Sequence, residues 1–134
     1  TVDRLDFQKS LDDAEQVTRA LAEGAAVVFF PEGTFVAATG LRPFRLGAFK
    51  TAADAGAPVV PMALRGTRQL LRGDEKLPHP GPIHLDVAEA VEVDGDDLHA
   101  LIRLRDGTAE AVASRCGEPR LDIVAAGVGR RKEE

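Results

Sequence analysis

The chain predicts an α/β fold: a mixed, mostly parallel sheet flanked by helices. Helical and strand signals alternate along the 134 residues, an order that puts helices on the faces of a sheet. Residues 25–30 (Ala-Ala-Val-Val-Phe-Phe) form an unbroken apolar run of strand formers, the pattern of a strand covered on both faces. With 44% hydrophobic residues, a chain of this length suits one domain with a modest core.

The first helix is expected from Ser10 as N-cap, with Asp12 and Asp13 in the first turn where the helix dipole favours acids. Leu11, Ala14, Val17 and Leu21 recur at helical spacing, and Gly24 stops the run. Residues 25–30 follow as the interior strand, broken by Pro31. Residues 46–57 are alanine-rich and helical in tone, ending at Gly56 and Pro58, and residues 58–64 return to strand composition. Pro61 has no N–H to give to a ladder, so this strand is expected at an edge or bulged there.

Residues 73–82 are polar and turn-rich; residues 83–87 then alternate apolar and polar, and the strand pattern continues through Val91 and Val93. Residues 94–116 are helical, with Leu98, Leu101, Ile102, Ala109 and Val112 as the expected buried face. Gly107 costs that helix about 1 kcal/mol relative to alanine and predicts a bend or split. Glycines, Pro119 and a closing Arg-Arg-Lys-Glu-Glu suggest a loose tail. The expected division is therefore a domain over residues 1–116 and a tail over 117–134.

Composition narrows the function classes. A formal charge of −5 argues against a nucleic-acid partner. The charge is uneven, however. Residues 41–73 carry Arg42, Arg45, Lys50, Arg65, Arg68 and Arg72 against Asp54 alone, a local balance of +5 that leaves −10 elsewhere. Such an island suits an anionic small molecule or a phosphate-rich membrane surface, and equally a solvated helix and turn. The single Cys116 excludes an internal disulfide and points to a reducing compartment. No apolar run approaches the roughly 18–20 residues of a membrane-spanning helix, and the acidic N-terminal residues are unlike a signal peptide. Phosphate loops, dinucleotide fingerprints and Cys/His clusters at zinc spacing are missing, so neither cofactor nor metal is implied.

The turn Phe30-Pro31-Glu32-Gly33-Thr34 places a carboxylate, a permissive glycine and a hydroxyl at the end of an apolar strand, where α/β sheets bind ligands. Taken alone, the same string also serves as a surface turn. The wider pattern weighs against that. The block Val28-Phe29-Phe30-Pro31-Glu32-Gly33-Thr34, then Pro43-Phe44-Arg45-Leu46-Gly47-Ala48-Phe49-Lys50, then residues 57–67 (Ala-Pro-Val-Val-Pro-Met-Ala-Leu-Arg-Gly-Thr) resemble the glycerophospholipid acyltransferase family in order and spacing. Val2-Asp3-Arg4 resembles the end of the family's second block, so the likeness covers residues 1–93.

The resemblance implies a glycerol-3-phosphate acyltransferase-like fold with its N-terminal part missing. It also implies an O-acyltransferase taking a fatty acyl group from acyl-CoA or acyl-carrier protein to a lysophospholipid such as 1-acylglycerol-3-phosphate, peripheral on the cytoplasmic side of the membrane. By the same resemblance Arg4 pairs with the acceptor phosphate, and Glu32, Gly33 and Thr34 hold the glycerol part. Arg42 and Arg45 are candidates to add charge toward the phosphate or a membrane headgroup, with solvated surface as the equal alternative.

Two departures stand out. Phe35 occupies the position where the family commonly has arginine, which leaves room for an acceptor other than lysophosphatidate or for Arg42 or Arg45 to supply the charge. The family's catalytic His-x-x-x-x-Asp pair, a general base and its orienting carboxylate, is also missing. Five residues after His79, His84 and His99 stand His84, Glu89 and Leu104. The pair is expected upstream of Thr1, which makes this chain an incomplete, inactive portion. The alternative is a noncatalytic lipid- or glycerophosphate-binding module, and a more distant one is an α/β domain whose Pro-Glu-Gly-Thr is structural.

Overall fold

The computed structural model describes residues 4–33, 38–71 and 76–121, with side chains from Asp13 onward. Its elements are α1 (Arg4–Ala22), α2 (Gly47–Ala55), β1 (Met62–Arg65), α3 (Thr67–Leu70), β2 (His84–Val87) and α4 (Leu98–Cys116). Helix α1 runs from Arg4, so Ser10 lies within it and not at its N-cap. Helix α2 ends where Gly56 adopts φ 61° and donates its N–H to the Ala53 carbonyl at 3.1 Å, while Ala57 donates to Ala52 at 2.9 Å. This left-handed cap satisfies carbonyls the helix leaves open. Helix α4 is N-capped by Asp97, whose side chain accepts the Ala100 N–H at 2.8 Å. It runs through Gly107 without a break, so the helix is not split there.

Strands β1 and β2 pair antiparallel, with Met62 opposite Val87 and Arg65 opposite His84. The pairing extends to Val59 and Val91, which exchange N–H···O bonds of 2.9 and 2.7 Å. Between Met62 and Val59 stand two residues, Pro61 and Val60, whereas Ala88, Glu89 and Ala90 separate Val87 from Val91. The extra residue is a bulge, located opposite the proline that donates nothing, and the Pro61 carbonyl still accepts from Ala88 at 2.9 Å.

The core sits between α2, α4 and β1. Leu41, Phe44, Phe49, Ala63, Leu104, Ala109 and Val112 form it, with Val59, Val91 and Val93 packed at its margin. Phe44 and Phe49 stack with ring centroids 6.4 Å apart. Leu101, Ala109 and Val112 are buried as expected from the sequence; Leu98 is exposed and Leu104 takes a core place instead.

The described residues do not form the mostly parallel sheet expected. Their one ladder is antiparallel, and the parallel pairing present is a single bridge between Leu41 and Arg120. Residues 25–30 are not an interior strand. They carry no strand pairing among the described residues, and all six are exposed, Val28 at 73% and Phe30 at 76%. A run this apolar becomes a buried strand only when neighbours bond both its edges and cover both its faces, and no described element does so. The outer face of the hairpin is similarly bare, with Met62, Leu64, Leu85 and Val87 exposed.

Candidate functional site

The turn after the apolar run is built by two backbone bonds, a third from a backbone N–H to a side chain, and a glycine. The Gly33 N–H donates to the Phe30 carbonyl at 3.0 Å and closes the turn. The chain then returns beside it: the Arg45 N–H donates to the Pro31 carbonyl at 2.8 Å, and the Arg42 N–H donates to Oε2 of Glu32 at 2.9 Å. Gly33 has φ 76°, and a Cβ there would stand 2.6 Å from Nε of Arg45. The Arg45 side chain therefore lies directly against a position that only glycine fills without strain. Glu32 is half-buried and Arg45 exposed.

Beside this turn opens a hollow of about 360 Å³ between α1 and α2. Phe29, Phe30, Pro31, Gly33 and Arg45 line one side; Val17 and Asp13 of α1 and Ala48 and Thr51 of α2 line the other. An open, largely apolar hollow with an arginine in its wall is suited to an amphiphile whose anionic end meets the cation.

A second junction braces the first. Glu118, just past α4, takes Nε and Nη2 of Arg68 in a two-pronged pair, each contact 3.0 Å. Its Oε2 also accepts the Gly40 N–H at 2.9 Å. The Arg68 hydrogen bonds hold the Glu118 carboxyl below its ordinary range, with Gly40 adding to the effect against the cost of desolvation. Arg68 is raised in turn, chiefly by its bond to Glu118, with the fields of Glu118 and Glu32 assisting. Residues 118–121, which open the segment expected as a loose tail, are thus tied down. Leu41 donates to Pro119 at 2.8 Å and accepts from Leu121 at 3.0 Å.

Of the residues picked out in the sequence, Glu32, Gly33, Arg42 and Arg45 come together at one turn. Arg4 begins α1, but its side chain lies outside the described residues, as do Thr34 and Phe35. His79 is in an irregular segment, His84 on β2 and His99 on α4, all three exposed. Arg68 was legible only as one charge of the basic island and Glu118 not at all, because nothing in a sequence announces a pair 50 residues apart. Among the described residues no group of three or more His, Cys, Asp or Glu is placed to hold a metal ion.

Residues 1–65 match the family model described as Acyltransferase. A 1-acyl-sn-glycerol-3-phosphate acyltransferase of Chlamydomonas reinhardtii is 38% identical over 114 residues, 84% of this chain and 33% of that protein. The chain belongs to the acyltransferase family. A chloroplastic member from Brassica napus, BAT2, is 34% identical over 71% of this chain and 28% of its own length. The 1-acyl-sn-glycerophosphate (LPA) acyltransferase PlsC of Thermotoga maritima shares the fold, with a TM-score of 0.67 at 21% identity over 90% of this chain and 46% of the solved chain. The chain thus spans about a third of the length of the curated acyltransferases it matches. Among the described residues no helix is long and apolar enough to cross a membrane.

Proposed function

We propose that this chain is the acceptor-binding portion of an O-acyltransferase of phospholipid biosynthesis. The enzyme moves a fatty acyl group from acyl-CoA or acyl-carrier protein to a lysophospholipid such as 1-acylglycerol-3-phosphate. The observation that carries this is the convergence of Glu32, Gly33, Arg42 and Arg45 on one turn beside an apolar hollow. Arg45 meets the acceptor phosphate, a charge-assisted contact worth roughly 1.5–3 kcal/mol. Oε2 of Glu32 is held by the Arg42 N–H, and Oε1 takes a glycerol hydroxyl. Arg4 and Thr34 complete the contacts to phosphate and glycerol, and the surface works peripherally against the cytoplasmic side of a membrane.

The base that activates the acceptor hydroxyl belongs to a His-x-x-x-x-Asp pair preceding Thr1, so the 134-residue chain by itself does not turn over. The bare apolar run at Val28 and Phe30 and the bare hairpin face support a portion that packs against further acyltransferase sequence. The spacing of the three histidines favours a second reading, a noncatalytic module that binds a lysophospholipid or glycerophosphate.

Binding of lysophosphatidate below its micellar concentration to the chain, followed by calorimetry, tests the acceptor site. Arg45→Ala is expected to weaken it at least about tenfold, the loss of one charge-assisted bond. Equal affinity in parent and variant would remove Arg45 from the site.

A further inference from the structure

We infer that Glu118 is a positioning residue for the acceptor turn, acting from beyond the segment that matches the family model. This rests on the acceptor role proposed above for Glu32. The path is continuous and short. Glu118 accepts the Gly40 N–H at 2.9 Å, residues 119 and 121 bracket Leu41 with two backbone bonds, and the next residue, Arg42, donates its N–H to Glu32 at 2.9 Å. The segment carrying Gly40, Leu41 and Arg42 is thus clamped between the end of α4 on one side and the Glu32 carboxylate on the other. Leu41 is buried in the core, so the segment pivots about a fixed point and has little room to compensate.

Glu118 does a second thing at the same time. It holds Arg68 by two bonds, fixing a cation whose field reaches Glu32. A carboxylate there has acceptors for both tasks; a neutral amide keeps an oxygen for Gly40 but cannot balance the guanidinium. The family-model match ends at residue 65, whereas this clamp comes from residues 68 and 118. The matched turn is therefore held in place by parts of the chain outside that match.

The experiment follows the Arg42 and Gly40 backbone amides by ¹H–¹⁵N NMR during titration with sn-glycerol 3-phosphate, in the parent chain, Glu118→Ala and Glu118→Gln. In Glu118→Ala the Arg42 amide is expected to lose its hydrogen-bonded shift, with glycerol 3-phosphate binding about five- to tenfold weaker, the loss of roughly one hydrogen bond's worth of orientation. Glu118→Gln, which retains an acceptor for Gly40, is expected to restore the Arg42 shift and most of the affinity. The core methyl resonances of Phe49's neighbours serve as the check that each variant is folded.

An unchanged Arg42 amide in folded Glu118→Ala would overturn the inference. So would unchanged affinity in that variant. If the parent chain binds no glycerol 3-phosphate, the acceptor proposal fails on its own, and the Arg42 amide shift alone decides whether Glu118 positions the turn.

Discussion

The Arg42 N–H donates to Oε2 of Glu32 at 2.9 Å, joining two residues ten apart in the chain. Fixing one carboxylate oxygen with a backbone amide leaves the glutamate in a defined orientation with its other oxygen for a ligand. Glu32→Gln keeps an acceptor for Arg42 but loses the negative charge. It is expected to leave the unfolding midpoint within about 0.5 kcal/mol of the parent while weakening lysophosphatidate binding. A loss of several kcal/mol in urea unfolding, with binding unchanged in the folded fraction, would make Glu32 a structural residue only.

Gly33→Ala is expected to destabilise the chain by about 1–2 kcal/mol, the cost of a Cβ at positive φ. Its Cβ would also displace Arg45, because the two would meet at 2.6 Å. The variant should therefore lose affinity for lysophosphatidate beyond what its stability change explains. Calorimetric binding and urea melts on one sample separate the two effects, and full affinity would show that Arg45 has no need of its place against Gly33.

What the sequence disclosed and what it hid follow from the range of the interactions. Local chemistry was legible: Gly56 stops its helix and Pro61 sits where the ladder bulges. Residues 25–30 show where that logic stops. Their composition records the burial a strand needs, but burial is conferred by neighbours, and no described element pairs with them. Ser10 was a good cap by type, yet the helix continues through it from Arg4. The Arg68–Glu118 pair depends on two distant segments arriving at one point, which no periodicity encodes.

Phe49 and Phe30 make a direct comparison of buried and bare aromatic residues. Phe49 is 2% exposed in the core, and Phe49→Ala is expected to cost about 3–5 kcal/mol. Phe30→Ser in the same chain is expected to change stability by no more than about 0.5 kcal/mol. Paired denaturant melts check both, and a multi-kcal/mol loss for Phe30→Ser would mean that residues 25–30 are buried in solution.

The Glu118 carboxyl gives the chain an acid-sensitive joint. Its folded-state pKa lies below the ordinary 4.5, so its contribution is present above that value and is lost as pH falls through the lowered one. The pair is partly exposed, and its coupling with Arg68 in a double-mutant cycle is expected at about 0.5–1 kcal/mol at neutral pH. The stability gap between the parent and Glu118→Gln should therefore close on acidification below 4.5. A gap that widened there would reverse the assignment.

Acyl transfer itself is the most direct measurement. A labelled acyl thioester and lysophosphatidate are supplied to the 134-residue chain and to a protein extended upstream of Thr1 to include a His-x-x-x-x-Asp pair. The extended protein is expected to form phosphatidate, and the shorter chain to fall short by at least about 10²–10⁴, the contribution of a positioned general base. Turnover by the 134-residue chain at the extended protein's rate, or none by either, would contradict the proposed division between an upstream base and the acceptor site built on Glu32, Gly33 and Arg45.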